Sequence, residues 1–173
     1  WRPPLPHRRP HKAAAKWGGK KSVEKLCELT TAGNTSVAHE SIRALGVTRS
    51  ADAIPALVES LRAGSAKSSY ASRSLIQIGP ACEEPVLELL IEKDRTVFRY
   101  VCDVLRQVGS QKSATALEAL VADEKDYGRK SAASRAMAEA KKRAANAQAI
   151  PNSQGLSPAE LKVAAALAKL EDD

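Results

Sequence analysis

The chain has 173 residues, of which 43% are hydrophobic and only 3% aromatic, and its 27 Lys and Arg against 20 Asp and Glu give a formal net charge of +7. That length holds one compact or elongated domain with a tail or two, and no uncharged apolar run of about 18 residues exists to span a membrane. The three cysteines, with no CxxC and no close Cys/His spacing, exclude a disulfide framework and a zinc site.

Alanine, serine and leucine dominate the composition. Such small and straight side chains suit closely packed helices better than a sheet rich in Val, Ile and aromatics. Cys27 and Cys102 fall within helical apolar patterns and read as small core side chains. A reducing intracellular compartment is therefore expected, cytoplasmic or, for a chain that opens at Trp1, organellar after removal of a leader.

The first segment, 1–21, carries the entire charge excess. It holds Arg2, Arg8, Arg9, Lys12, Lys16, Lys20 and Lys21, no acidic residue, and Pro3, Pro4, Pro6 and Pro10. Proline removes backbone donors and favours extended polyproline II, so this segment reads as a basic arm that takes its order from a partner. Trp1 and Trp17 are its expected anchors, because tryptophan is enriched at binding hot spots; packing of Trp17 on the first helix is the equal alternative.

The body, 22–145, alternates helices and short turns. A first helix is expected over Ser22–Ala32, then Ser36–Leu45 paired with Ala51–Arg62, Ala66–Ile78 with Cys82–Glu92, and Arg95–Val108 with Gln111–Ala122. A fourth outer helix runs from Tyr127 to Ala145. Pro55 and Pro85 fall early in their helices, where a missing N–H costs little. A linker, 146–156, follows, and then a C-terminal helix over 157–173. Ser157, Pro158 and Glu160 form a capping box there, with Leu156 and Leu161 placed for a hydrophobic staple. Leu161 and Leu167 lie on its apolar stripes, which either cap the stack or dock on another protein.

The helices repeat. Ala38, Ala71 and Val101 form one row, Ile42, Leu75 and Leu105 a second, and Leu45, Ile78 and Val108 a third, followed by Gly46, Gly79 and Gly109. In the second helices the rows are Ile54, Glu84 and Ala114; Leu57, Leu87 and Leu117; and Leu61, Ile91 and Val121. A fixed period of about thirty residues signals a solenoid, whose units cannot bury their apolar faces alone. The glycines read as C′ residues in the left-handed conformation. The first helix reads as the second half of a unit whose first half is missing.

The stretches Val37-Ala38-His39-Glu40-Ser41-Ile42-Arg43-Ala44-Leu45-Gly46 and Ser50-Ala51-Asp52-Ala53-Ile54-Pro55-Ala56-Leu57 resemble the HEAT-like repeat, in the short form named from phycobilisome lyases. Ala71–Leu90 and Val101–Leu120 match it more loosely. The resemblance implies an all-α solenoid of stacked antiparallel helix pairs, with first helices on the convex side and second helices on the concave side. It is specific for fold and not for function.

Charge divides accordingly. The second helices and their flanks are rich in Asp52, Glu59, Glu83, Glu84, Glu88 and Glu92, with Glu83 and Glu84 read as solvent charges. The first helices lean basic, most of all from Arg129 through Lys130 and Arg135 to Arg143. A groove lined with carboxylates repels phosphate, so nucleic acid is not expected on the concave face.

Enzyme readings find little support. Deoxyhypusine hydroxylase, of similar build, binds iron through several His-Glu pairs. His39-Glu40 resembles one such pair, but Ser72-Arg73 and Cys102-Asp103 occupy the equivalent positions, and His39 reads as a surface or helix-packing residue. Bilin lyases need a deep pigment pocket, and helical-repeat DNA glycosylases a basic aromatic groove. No cofactor and no small-molecule substrate is expected. The reading is a non-catalytic scaffold or accessory subunit binding the protein subunits of a larger complex, tethered by its arm and its C-terminal helix. Its contact residues would be Trp1, Arg2, Arg8, Arg9, Lys12, Lys16, Trp17, Lys20, Lys21, Arg129, Lys130, Arg135, Leu161 and Leu167. The alternative is an RNA-binding factor of the ribosome-associated type, using the arm and the last outer helix. With about seven cations engaged, its affinity would fall with salt at a log–log slope near −6.

Overall fold

A computed structural model describes residues 19–64 and 66–149, and every structural statement concerns these. They contain eight α-helices and no strand: α1 Lys20–Leu29, α2 Thr35–Thr48, α3 Ile54–Arg62, α4 Ala66–Ile78, α5 Glu83–Leu87, α6 Arg95–Val108, α7 Gln111–Asp123 and α8 Tyr127–Ala149. Short 3-10 turns at Ala51–Ala53 and Pro80–Cys82 lead into α3 and α5, and another at Glu88–Ile91 extends α5.

Polar residues start the helices where the chain leaves a loop. The Asn34 carboxamide accepts from the N–H of Ser36 at 3.0 Å and of Val37 at 3.3 Å. Asp94 accepts from Thr96 at 2.7 Å and Val97 at 2.9 Å, and Asp126 from Arg129 at 2.9 Å. Each side chain satisfies donors that the first helical turn leaves orphaned.

Two of the boundaries move. Helix α1 begins at Lys20, so Lys20 and Lys21, read with the arm, stand in its first turn. Helix α8 continues to Ala149 through the first residues of the expected linker. The rest of the arm and the expected helix over 157–173 lie outside the described residues.

The helices α2, α4, α6 and α8 pack each on the next. The others pack on the helix that follows them in the chain: α1 on α2, α3 on α4, α5 on α6 and α7 on α8. The expected mates, α2 with α3, α4 with α5 and α6 with α7, touch less than these. The described helices therefore pack as four consecutive pairs, and α1 has a close mate in α2. Ser68 helps join α4 to α3: its buried hydroxyl donates to the Leu61 carbonyl at 2.8 Å.

The core rows hold best in the first helices. Ala38, Ala71 and Val101, and Ile42, Leu75 and Leu105, are fully buried. In the second helices the middle member slips. Leu57 and Leu117 are buried, but Val86 and not Leu87 takes the place between them, followed by Leu89 and Leu90, while Ile91 is 85% exposed. The slip at Val86 lies within α5 itself, and the 3-10 turn Glu88–Ile91 that follows it, with three residues per turn where an α-helix takes 3.6, turns Leu89 and Leu90 inward and leaves Ile91 outside.

The three aligned glycines do three different things. Gly46 lies inside α2, where a Cβ would come within 2.8 Å of the Ser74 Cα and 2.6 Å of the Gln77 Oε1 on α4. It is a close-approach glycine, and the left-handed residue at that helix end is Arg49, at φ 53°. Gly79, at φ 91°, turns the chain before Pro80. Gly109 is extended, at φ −61° and ψ 143°.

Side chains also tie helices that lie further apart in sequence. Ser74 Oγ donates to the Ile42 carbonyl at 2.8 Å, beside Gly46. Lys67 Nζ donates to the Thr30 carbonyl at 3.0 Å, just past the end of α1. Glu83 crosses from α5 to the start of α7. One of its oxygens accepts from the Ser110 N–H at 2.7 Å and hydroxyl at 2.8 Å, and from the Ser113 N–H at 3.2 Å and hydroxyl at 2.5 Å. Glu84 beside it pairs with Lys112. Glu84 stays a solvent-exposed charge, 74% exposed in a surface pair, whereas Glu83 is not a plain solvent charge. Desolvation raises the Glu83 pKa, but the donors from Ser113 and Ser110 outweigh it and hold the carboxyl below its ordinary value.

Two outcomes follow for stability. Gly46→Ala destabilises the fold by about 1–3 kcal/mol, because overpacking against the α4 backbone outweighs the helix propensity gained, whereas Gly33→Ala, with nothing within 4 Å, stays neutral; urea titration separates them. Glu83→Gln costs about 1 kcal/mol at pH 7 as a lost helix cap. Because the folded pKa of Glu83 lies below the unfolded one, its stabilisation is present at neutral pH and fades as pH falls through the folded value. The gap between wild type and Glu83→Gln therefore narrows in acid, and a pH-independent gap would contradict the assignment.

Candidate functional site

Among the described helices α6 has the strongest apolar stripe. Val97, Phe98, Val101, Cys102, Val104 and Leu105 are buried along it, as is Val108 at its end. Its other side carries Arg95, Arg99 and Arg106, at offsets of four and seven that fall on one face of a helix. Helix α8 brings Arg129 and Arg135 up against them. The space between is an open cleft of about 580 Å³, lined by these five arginines and by Asp103, with Phe98, Cys102 and Ala132 at its apolar base.

The five arginines differ in what they hold. Arg129 is 15% exposed and committed to the fold. Its guanidinium lies 3.8 Å from the centroid of the Phe98 ring. It donates to the Glu92 carbonyl at 2.7 Å and to Glu124 Oε2 at 2.7 Å. The Asp126 N–H and Arg129 together hold the Glu124 carboxyl below its usual range. Arg95 donates to both Asp126 oxygens, at 3.0 and 2.7 Å. Arg106 faces Asp103 at a loose 3.6 Å.

Arg99 and Arg135 are exposed and meet no carboxylate among the described residues. Arg99 lies 5.1 Å from the Tyr100 ring centroid, and Arg135 donates to the Ser131 hydroxyl at 3.0 Å. These two guanidinium forks, on opposite walls, keep donors available for a ligand.

A second groove, of about 600 Å³, lies between α2 and α4 and is lined by Glu40, Arg43, Val47, Tyr70, Arg73 and Gln77, among others. Arg43 pairs with Glu40 at 2.8 Å. His39 is part of the packing beneath: its ring stacks on Tyr70 with centroids 4.4 Å apart, and its Nε2 is buried without a hydrogen-bond partner.

The acidic second helices are largely paired. Glu59 and Glu92 both meet Arg62, at 2.9 and 3.0 Å, and Glu118 meets Lys141 at 2.8 Å. Burial pushes the Cys82 thiol up to about 11 and that of Cys102, at the base of the arginine cleft, up to about 12. Neither offers a thiolate nucleophile at neutral pH. Among the described residues no three His, Cys, Asp or Glu side chains gather as metal ligands, and no helix is long and apolar enough to cross a membrane.

Of the expected contact residues, Trp1, Arg2, Arg8, Arg9, Lys12, Lys16, Trp17, Leu161 and Leu167 lie outside the described residues. Lys130 is exposed on α8. Arg135 and Arg129 line one cleft, and Arg129 also clamps the fold through Glu92, Glu124 and Phe98. Arg143, in the same basic helix, donates to the carbonyls of Leu105 at 3.0 Å, Arg106 at 2.5 Å and Gly109 at 2.8 Å. Arg95, Arg99 and Arg106 are not among the contact residues expected from the sequence. The signal for them was their spacing on the face of α6 opposite its apolar stripe.

No protein-family model matches the chain, and no curated protein matches it.

Arg129→Ala is expected to destabilise the fold by about 2–4 kcal/mol, through the lost ring contact and the unpaired Glu92 carbonyl. Arg129→Lys recovers the charge but not the fork and stays well below wild type in guanidinium melts. Arg135→Ala, on the same helix, leaves the midpoint unchanged.

Proposed function

We propose that this chain is a non-catalytic HEAT-like solenoid that joins protein subunits within a larger assembly. The observation that carries the reading is the tying of helices at a separation of one unit. The hydrogen bonds Lys67 to Thr30, Ser74 to Ile42, Ser110 to Glu83 and Arg129 to Glu92 span 37, 32, 27 and 37 residues. Units stacked in this way on their neighbours form a stiff extended body, and the use of such bodies is to present surface to partners. The basic arm and the C-terminal helix would add linked contacts whose benefit comes from effective concentration.

The test is affinity capture with the full chain and with a chain lacking residues 1–18, each with and without nuclease. The expected result is a defined set of proteins that survives nuclease and thins when the arm is removed. Recovery of RNA alone, lost steeply with salt, would replace this reading with the RNA-binding one.

A further inference from the structure

The arginine cleft between α6 and α8 does more than hold the helices together. Arg129 and Arg95 are spent on Glu124, Glu92 and Asp126. Arg99 and Arg135 contribute to no such tie, and the Arg106–Asp103 contact at 3.6 Å is loose. Beneath them Phe98 and Cys102 are buried, at 1% and 3% exposed, with the Arg129 guanidinium over the Phe98 ring, and Ala132 is half-buried beside the arginine stems that line the cleft.

We propose that this cleft is the docking site for an acidic amphipathic helix of a partner protein, with its carboxylates on Arg99 and Arg135 and an apolar side chain against Ala132 and the arginine stems. Charge complementarity supplies the anion preference. The mixture of groups supplies the choice of a peptide. Asp103 sits on the wall among the arginines. A polynucleotide or an anionic lipid surface presents unbroken negative charge and would meet that carboxylate, whereas a helix spaces its acids three or four residues apart and can pass it. Helix-in-groove recognition uses such spaced anchors, and planar guanidinium forks match carboxylates in two-point contact. The proposal rests on the protein-binding reading above and names its site and the chemistry of its partner.

The experiment measures anisotropy of a fluorescein-labelled helical peptide with Glu on one face at every fourth position and Leu beside it. A Gln-for-Glu version, a 15-mer of oligouridine and phosphatidylserine vesicles serve as comparisons, all with the full chain. The peptide is expected to bind and the comparisons to bind more weakly. Arg99→Glu with Arg135→Glu should weaken peptide binding about tenfold or more, the loss of two charge-assisted contacts. Lys93→Glu with Lys142→Glu, an equal change of net charge at exposed positions outside the cleft, should change it less than about twofold. Arg99→Gln with Arg135→Gln, milder for folding, should show the same loss in smaller measure, and unchanged circular dichroism certifies each variant.

Peptide affinity equal in cleft and control variants, absence of peptide binding, or tighter binding of RNA or vesicles would each overturn the proposal. Affinity capture separates the two readings. Partners retained undiminished by the Arg99→Glu/Arg135→Glu chain refute the cleft and leave the scaffold reading standing. Cleft-dependent peptide binding by a chain that captures no protein does the reverse.

Discussion

Every α-helix ends on backbone groups that it cannot satisfy itself, and in this protein those ends are repeatedly served by side chains from another helix. Glu83 brings a carboxylate to the amides that open α7. Arg143 brings a guanidinium to the carbonyls that close α6, and Lys67 an ammonium to the Thr30 carbonyl just beyond α1. The signs agree with the helix dipole, anion at the amino end and cation at the carboxyl end. A helix whose last polar groups are held by another helix cannot pack independently of it. Apolar burial supplies the bulk of the stabilisation, and these ties help determine which helix sits on which.

The same fact changes what the charges mean. Counted along the sequence, the helix from Tyr127 is simply basic. Placed in three dimensions, its cations divide: Arg129 and Arg143 are internal fittings, while Lys130 and Arg135 face outward. The acidic second helices divide likewise, since Glu59, Glu92, Glu84 and Glu118 each have a cationic partner. Formal charge is a poor guide to available charge in a fold that uses ion pairs across units, and the surface open to a partner is a smaller and more specific thing than the composition suggests.

The helices were legible because their apolar periodicity is local. Ala66–Ile78 and Arg95–Val108 match their expected bounds, and the rows through Ala38 and Ile42 are buried as their spacing implies. What was not legible depends on contacts between segments. An even spacing could not reveal that Val86 is buried where Leu87 was expected, or that Glu88–Ile91 winds as a 3-10 turn that leaves Ile91 exposed. Glycine in a repeating position suggested one role, but Gly46 answers to the approach of Ser74 on another helix. Adjacent glutamates suggested solvent, but Glu83 is needed by a helix that starts 27 residues later. The arginine cleft combines one face of α6 with one of α8, and only its α8 half stood out as a charged run.

Helix α8 meets the core chiefly through small side chains, Ala133, Ala136 and Ala140, with Met137 beside them. Alanine permits close approach but removes little apolar area from water per residue, so the guanidinium clasps of Arg129 and Arg143 add a polar share to the grip of this helix. A segment held in part by polar clasps opens locally more readily than one sunk in leucine alone, and a ligand bridging the walls of the arginine cleft would act as a further staple between α6 and α8.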